Sequence, residues 1–176
     1  MGNFKIESGF LKKQIILTIG MLFFLCFTFQ MKAQEQPPKP ISVSVYLNQG
    51  LNFGGFTQGS SGGSVIVYPD GSRSSTGDVV LYNLGFLVSP VIFEIEGNAG
   101  TIISLLNGPP AVLTGSNGGS MTLTLGGSDP PSPFINTSYA PSLFQVRVGG
   151  TLTVGNALAN PPGDYNGTFM ITFIQE

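Results

Sequence analysis

Residues 41–48 read Ile-Ser-Val-Ser-Val-Tyr-Leu-Asn, and this stretch decides the fold. Apolar side chains stand at every second position, with Ser, Tyr and Asn at the positions between them. Strict alternation over four to eight residues is typical of a β-strand with one buried face. The same period of two returns at 91–96, 120–125, 143–148 and 151–154, whereas no stretch after residue 34 keeps the 3.6-residue period of a helix. The sequence therefore predicts an all-β domain.

The breaks between the alternating runs contain residues that favour turns. Pro69-Asp70-Gly71 stands between two runs, and Pro161-Pro162-Gly163 precedes the last run. Gly149-Gly150 separates two short runs by two residues, which is the loop length of a tight hairpin. We expect about 8–10 short antiparallel strands in one domain at residues 41–176, arranged as a sandwich or a barrel.

The first forty residues differ from the rest of the chain. Basic residues precede an apolar run at 15–29, and a small residue, Ala33, follows it. This pattern indicates a secretory signal peptide at residues 1–33, cleaved between Ala33 and Gln34, because the apolar run is short for a spanning helix. An uncleaved anchor is the alternative. Residues 34–40 form a polar, proline-rich leader, and the single cysteine, Cys26, falls within the segment that is removed.

The composition after residue 33 excludes several functional classes. Three basic residues stand against eight acidic ones, a net charge of −5, so no basic surface for nucleic acid is expected. The chain has no histidine, which removes Ser-His and Cys-His catalysis and the usual zinc sites. We expect a non-enzymatic protein without metal or cofactor. After cleavage it has no membrane span and resides in the periplasm, on the outer cell surface or outside the cell.

Glu94 and Glu96 are the only closely spaced carboxylates after residue 33. On a strand they point to the same face, where they could bind calcium or join a distant aspartate as the acid and base of a hydrolase. Their alternation with Val91, Phe93 and Ile95 instead places them on a solvated outer face.

Four blocks, in a fixed order, carry a family resemblance. They are Leu-Asn-Phe-Gly at 51–54, Gly-Ser-Val-Ile-Val-Tyr-Pro-Asp-Gly at 63–71 leading to Thr-Gly-Asp-Val-Val-Leu at 76–81, Val-Gly-Gly-Thr-Leu-Thr-Val at 148–154, and Gly-Asp-Tyr-Asn-Gly at 163–167. In their order and spacing they resemble the secreted bacterial family known as domain of unknown function 4402. That family looks distantly similar to spore coat protein U and to chaperone–usher pilin subunits. The resemblance implies a single immunoglobulin-like β-sandwich exported by a Gram-negative bacterium, and it brings no catalytic residue.

These observations favour a structural or adhesive protein of the surface or periplasm, such as a pilin-like subunit, whose partner is another surface protein or a second copy of itself. The alternative is a carbohydrate- or ligand-binding sandwich. Its candidate aromatic residues are Tyr46, Tyr68 and Tyr82, because each lies at or near the outward-facing phase of its strand.

The first strand has two possible partners. Its apolar face consists of Ile41, Val43, Val45 and Leu47, and it directly follows the proline-rich leader. It pairs within its own domain, as consecutive strands usually do, or it is donated to a neighbouring subunit.

The end of the chain carries two further expectations. The run 168–174 is apolar on both faces, which predicts a strand inside a sheet rather than at its edge. Tyr165 stands just before it and is expected to bind a backbone carbonyl through its hydroxyl, as in a tyrosine corner.

Overall fold

The computed structural model describes residues 40–45, 50–83, 85–139 and 141–176. The predicted signal peptide and its cleavage site lie outside the described residues, as do Tyr46 and Leu47. Within the described ranges all regular structure is β-strand and every strand pair is antiparallel. The predicted all-β fold is therefore confirmed. No helix in these ranges has the length and apolarity needed to cross a membrane.

The described residues form thirteen strands, nine of which have four residues or more. In chain order they are β1 Ser42–Val45, β2 Asn52–Phe53, β3 Gly55–Val67, β4 Arg73–Tyr82, β5 Val88–Ser89, β6 Val91–Glu96, β7 Ile102–Asn107, β8 Ala111–Gly115, β9 Ser120–Asp129, β10 Phe134–Ile135, β11 Phe144–Val154, β12 Tyr165–Asn166 and β13 Ile171–Gln175.

Strand β11 is the centre of the largest sheet. Its first half, Phe144–Val148, pairs with β6, and its second half, Gly150–Val154, pairs with β3 on the same side. Strand β9 runs along the other side. The sheet continues from β9 through β8 to β12, and from β6 to β1, while β4 pairs with β3. Strands β10, β7 and β13 form a second sheet, and β2 pairs with β5. The result is a sandwich-like arrangement of curled antiparallel sheets.

Two apolar clusters form the core. The first contains Val65 of β3 and Leu152 of β11, and the second contains Phe93 and Ile95 of β6. Phe169, between β12 and β13, packs against both clusters. The buried side chains of β6 and β9 are the alternate apolar residues of their runs, as the period of two predicted.

The Gly149-Gly150 pair is not the hairpin turn that its spacing predicted. Strand β11 runs through both glycines, which are buried. The register of β11 against β9 shifts here, so that Gly126-Gly127 of β9 lies opposite Gly149 in a β-bulge. A Cβ at Gly149 would lie 2.3 Å from the carbonyl oxygen of Val67. These glycines therefore permit close approach of backbones inside a sheet rather than a reversal of the chain.

The last strand, β13, lies at an edge of its sheet, so the predicted interior position is wrong. It pairs only with β7 among the described strands. Its inward-facing residues Ile171 and Phe173 are half-buried, whereas Thr172 and Ile174 are exposed. The sequence does not distinguish an isoleucine on an exposed strand face from one that a second layer covers. The apolar run therefore did not predict that β13 is an edge strand.

The hairpin of β3 and β4 is bent back on itself. Its tip is the predicted turn, in which the Gly71 amide donates to the Tyr68 carbonyl. The register breaks between Gln58 and Gly63. The guanidinium of Arg73, where β4 begins, lies 3.0 Å from the carbonyl oxygen of Tyr82, where β4 ends. A straight strand of this length would separate its ends by roughly 30 Å, so the bend brings both ends of the hairpin together.

Candidate binding groove

The Glu94/Glu96 pair lies on the outer face of β6. Glu94 is half-buried and accepts a hydrogen bond from the Gln145 amide at 3.1 Å, and Glu96 is exposed. Both lie opposite the buried side chains of Phe93 and Ile95, as the alternation predicted. Among the described residues no group of three or more Asp or Glu side chains is arranged to hold a metal ion.

The structure does not bring the candidate tyrosines into one binding surface. Tyr68 and Tyr82 are 43% and 42% exposed. Tyr68 lines a shallow depression of about 440 Å³ together with Asp70 and Asp129. Tyr82 lines a separate groove, and Tyr46 lies outside the described residues. Two separate aromatic side chains do not form the continuous platform on which a sugar ring would stack.

The groove beside Tyr82 opens directly onto the first core cluster. Its volume is about 700 Å³, within the range of roughly 300–1,000 Å³ typical of ligand sites. Its floor is made of the core side chains Leu113, Met121, Leu123 and Leu152. Each of these side chains is at most 9% exposed. The groove thus reaches down to the first core cluster, whose side chains stay almost wholly buried.

One wall of the groove is a strand edge, and the other is a segment that contains the two-residue strand β12. One wall is Gly55–Gln58 of β3, which pairs with β4 on its far side. The other is Pro161–Phe169, whose strand β12 pairs with β8 on its far side. Among the described strands, neither wall has a partner on the side of the groove. Such edges present unpaired N–H and C=O groups that can accept an added strand.

Gln58 and Asn160 join the two walls. The Gln58 side-chain amide donates to the Asn160 carbonyl at 2.6 Å. The Asn160 side chain is buried, donates to the Ser120 carbonyl and accepts from the Gly155 amide. It therefore anchors the loop before the second wall to the start of β9 and to the residue that follows β11. A single asparagine before two prolines gave no sequence signal for this role.

Tyr165 fixes the second wall on β8, as predicted for a tyrosine corner. Its hydroxyl lies 2.8 Å from the Pro161 carbonyl oxygen, to which it donates a hydrogen bond. Its ring packs over Gly115, where a Cβ would lie 2.7 Å from the ring carbons. A Cβ at Gly167 would lie 2.6 Å from the carbonyl oxygen of Val112. Glycine at both positions lets the wall lie close against β8.

The residues that line the groove are almost uncharged. Asp164 is the one carboxylate among the described lining residues, and it is exposed. Phe86 stands at the rim with 63% of its surface exposed and covers Gly55, where a Cβ would lie 2.6 Å from its ring. An apolar floor, backbone edges and few charges suit an uncharged, extended ligand.

The family relationship is decided by a match over residues 43–174 to the family model described as a domain of unknown function, DUF4402. The chain belongs to this family. The predicted resemblance to the family is thereby confirmed, and the matched range contains the floor and both walls of the groove. No curated protein and no solved structure matches the chain. The similarity to spore coat protein U and to pilin subunits stays a prediction.

In this DUF4402 domain the first wall is positioned by Arg73, one of the three basic residues after residue 33. The Arg73 guanidinium donates to the carbonyls of Phe53 at 2.7 Å and Gly55 at 3.2 Å. It also donates to the Asn83 side chain at 3.2 Å. Its contacts join the start of β3 to the end of β4, so they hold the bent hairpin beside the groove. They depend on the bend, which the sequence did not predict.

Proposed function

We propose that this protein is an exported structural or adhesive subunit of the periplasm or cell surface, which acts by contacts with other polypeptides and not by catalysis. The observation that carries the proposal is the uncovered groove. Buried core residues such as Leu123 line its floor, and strands β3 and β12 contribute to its two walls. An extended polypeptide that added a strand there would satisfy the edges and cover the apolar floor. The proposal includes no cofactor and no nucleic acid, because the exported part of the chain is acidic.

Export rests on the pattern of residues 1–33. We expect intact-mass spectrometry of the exported protein to find an N-terminus within a few residues of Gln34 and no lipid on Cys26. An N-terminus that retains the apolar run, or an acylated Cys26, would contradict this part of the proposal.

The contact function is tested by the molar mass of the exported protein in solution. Size-exclusion chromatography with light scattering over a range of concentrations is expected to show assembly that grows with concentration. Leu123→Asp is unsuitable for this test, because a charge in the buried floor would also impair folding. Phe86→Asp changes an exposed residue at the rim of the groove. We expect Phe86→Asp to remain folded and to assemble less. The proposal would be refuted if the wild-type protein stays monomeric at every concentration and no other polypeptide co-elutes with it.

A carbohydrate- or ligand-binding module is the second candidate, and the exposed aromatic rim favours it. Tyr82 and Phe86, which are 42% and 63% exposed, both line the groove. A glycan array with the exported protein, repeated with Tyr82→Ala, tests this function. Saturable binding that is lost in Tyr82→Ala but retained in Tyr68→Ala would favour the carbohydrate module over the structural subunit.

A further inference from the structure

The second sheet, formed by β10, β7 and β13, has apolar side chains on both of its faces. Its inner face packs in the second core cluster. An antiparallel sheet that covers a core on one side commonly turns polar side chains outward. The outer face of this sheet instead carries large aliphatic side chains that are 42–60% exposed, namely Ile102 and Leu106 of β7, Ile135 of β10 and Ile174 of β13.

These exposed side chains are neighbours on one face. Ile135 lies directly opposite Ile102 in the ladder of β10 and β7. Ile174 lies opposite Ser104 in the ladder of β7 and β13. It is therefore the diagonal neighbour of both Ile102 and Leu106, at a spacing of about 7–8 Å that long side chains can bridge. The four residues form a continuous apolar surface across three strands.

Met170 extends this surface by one step beyond β13. Its carbonyl accepts a hydrogen bond from the Gly108 amide at 2.9 Å, and its side chain is 66% exposed. We call Ile102, Leu106, Ile135, Met170 and Ile174 together the outer patch. It exposes on the order of 500 Å², within the range of patches that are often functional. Two copies that cover this patch on each other bury roughly 1,000 Å², which reaches the lower limit for a specific protein interface.

The large sheet shows that this chain does not place apolar side chains on every outer face. Thr122 and Thr124 of β9 lie opposite Thr153 and Thr151 of β11, on the side turned away from the core. The apolar outer face thus belongs to one sheet. It explains why the run 168–174 is apolar on both faces, a pattern typical of a strand that is covered on both sides.

We infer that a second copy of this chain covers the outer patch, with the two outer faces in contact; the inference rests on the proposed function as a subunit that acts by contacts. Two apolar sheet faces pack about 10 Å apart with interdigitating side chains. Because the same patch lies on both copies, a two-fold axis closes the contact and the product is a dimer. No residue of the outer patch lines the groove, so the dimer uses a separate surface.

The charge of the chain favours a second copy at this patch over a lipid surface. The exported chain has a net charge of −5, so two copies repel each other unless the contacting surfaces are uncharged. The outer-face positions of the three strands hold only Ile, Leu, Ser and Thr. The carboxylate of Glu176, just beyond β13, accepts a hydrogen bond from the Ser104 hydroxyl and is held within its own copy. An acidic chain without a basic cluster is not attracted to an anionic membrane.

The dimer is tested by light scattering of exported Phe86→Asp protein, in which the contact at the groove is weakened. We expect a monomer–dimer equilibrium with the dimer as the largest species. Adding Leu106→Glu is expected to raise the dissociation constant of the dimer at least about tenfold, because the contact would bury a carboxylate from each copy. Leu106→Ser is expected to weaken the dimer in the same direction without a charge.

Val112→Glu is the matched control for the added charge. Val112 is 62% exposed and lies on β8 of the large sheet, outside the outer patch. We expect it to leave the dissociation constant of the dimer unchanged. Urea unfolding at low concentration, where the copies are separate, is expected to show that the Leu106 and Val112 variants are equally well folded.

Two results would overturn the inference directly. One is a Phe86→Asp protein that stays monomeric at every concentration, and the other is equal dimerisation of the Leu106→Glu and Val112→Glu proteins. Binding of the monomer to vesicles of neutral phosphatidylcholine, lost in Leu106→Glu, would also overturn it, since the patch would then face lipid. If the wild-type protein assembles and Leu106→Glu changes nothing, only the assignment of the patch fails. A wild-type protein that stays monomeric and co-elutes with no other polypeptide refutes the proposed function as well.

Discussion

Arg73 shows how a single side chain holds the bend on which the groove depends. Its guanidinium is half-buried and donates to the backbone carbonyls of Phe53, Gly55 and Tyr82. Gly55 and Tyr82 form a ladder pair at the open end of the hairpin, and Arg73, close to its tip, reaches the carbonyls of both. A charged donor with several hydrogen bonds in a fixed fork suits this task better than a lysine would.

Arg73→Met is expected to lower the free energy of unfolding by about 1–3 kcal/mol, since the carbonyls around it lose a charged donor. Urea denaturation of the exported protein measures the change. The matched control is Arg147→Met, which removes an arginine from the exposed face of β11. Equal stability of the two variants would show that Arg73 does not hold the bend.

Asp70 is the described carboxylate whose pKa clearly departs from its ordinary value. Hydrogen bonds from the hydroxyl of Ser72 at 2.6 Å and from its backbone amide at 2.9 Å lower the pKa of Asp70. A lowered pKa in the folded state stabilises the turn above the ordinary value of about 4, and this contribution is lost as the pH falls through the lowered pKa.

Ser72→Ala is expected to raise the pKa of Asp70 towards its ordinary value, because the hydroxyl donor is the largest cause of the shift. An NMR titration of the Asp70 carboxyl group measures it. Ser74→Ala, in the same hairpin, serves as the control and is expected to leave the pKa of Asp70 unchanged. An unchanged pKa in Ser72→Ala would contradict this account.

At the scale of the element, β11 depends on glycine where three backbones approach one another. Gly149→Ala is expected to destabilise the protein by about 1–3 kcal/mol or more, as overpacking does, because its Cβ would meet the Val67 carbonyl oxygen. Gly127→Ala lies in the same bulge and has nothing within 4 Å of the added Cβ. Thermal unfolding of both variants gives the comparison. A Gly149→Ala protein as stable as Gly127→Ala would refute the bulge.

The side chains that β13 contributes to the core all lie on its inner face. The ring of Phe173 packs edge-to-face against Phe93, with centroids 5.1 Å apart. Phe173→Ala is expected to cost roughly 2–4 kcal/mol, somewhat below the roughly 3–5 of a fully buried phenylalanine. Ile174→Ala, on the exposed face, is expected to stay close to wild type. If denaturant unfolding shows a larger loss of unfolding free energy for Ile174→Ala than for Phe173→Ala, the assignment of the inner and outer faces of β13 is wrong.

The period of two predicted which residues of β6 and β9 are buried, because burial of one strand face is a local property of the sequence. The position of Tyr165 just before the last run predicted its hydroxyl contact, which depends on residues nearby in the chain. The two-residue spacing misassigned Gly149-Gly150, and the apolar character of the last run misassigned the edge position of β13. A Gly-Gly pair has the same sequence in a turn and in a β-bulge. The number of strands that pair with a given strand is set by residues far away in sequence.

At the scale of the whole molecule, the groove is the feature that sequence reasoning missed. No run of the sequence predicted an opening between β3 and β12. Both strands line the groove, and the bent β3–β4 hairpin supplies its first wall. Its lining comes from segments as distant as Gly55–Gln58 and Pro161–Phe169, which no local pattern connects. The proposed function of this domain therefore rests on the groove between these two segments.

Hydrogen–deuterium exchange of the exported protein at increasing concentration tests most directly whether the groove receives a strand. At low concentration we expect fast exchange of the amides of Gly55–Gln58 and Tyr165–Phe169 that face the groove, because edge amides are open to water. At high concentration exchange at both walls should slow together, while the amides of β11 stay protected throughout. Exchange at the two walls that does not change with concentration would contradict the account.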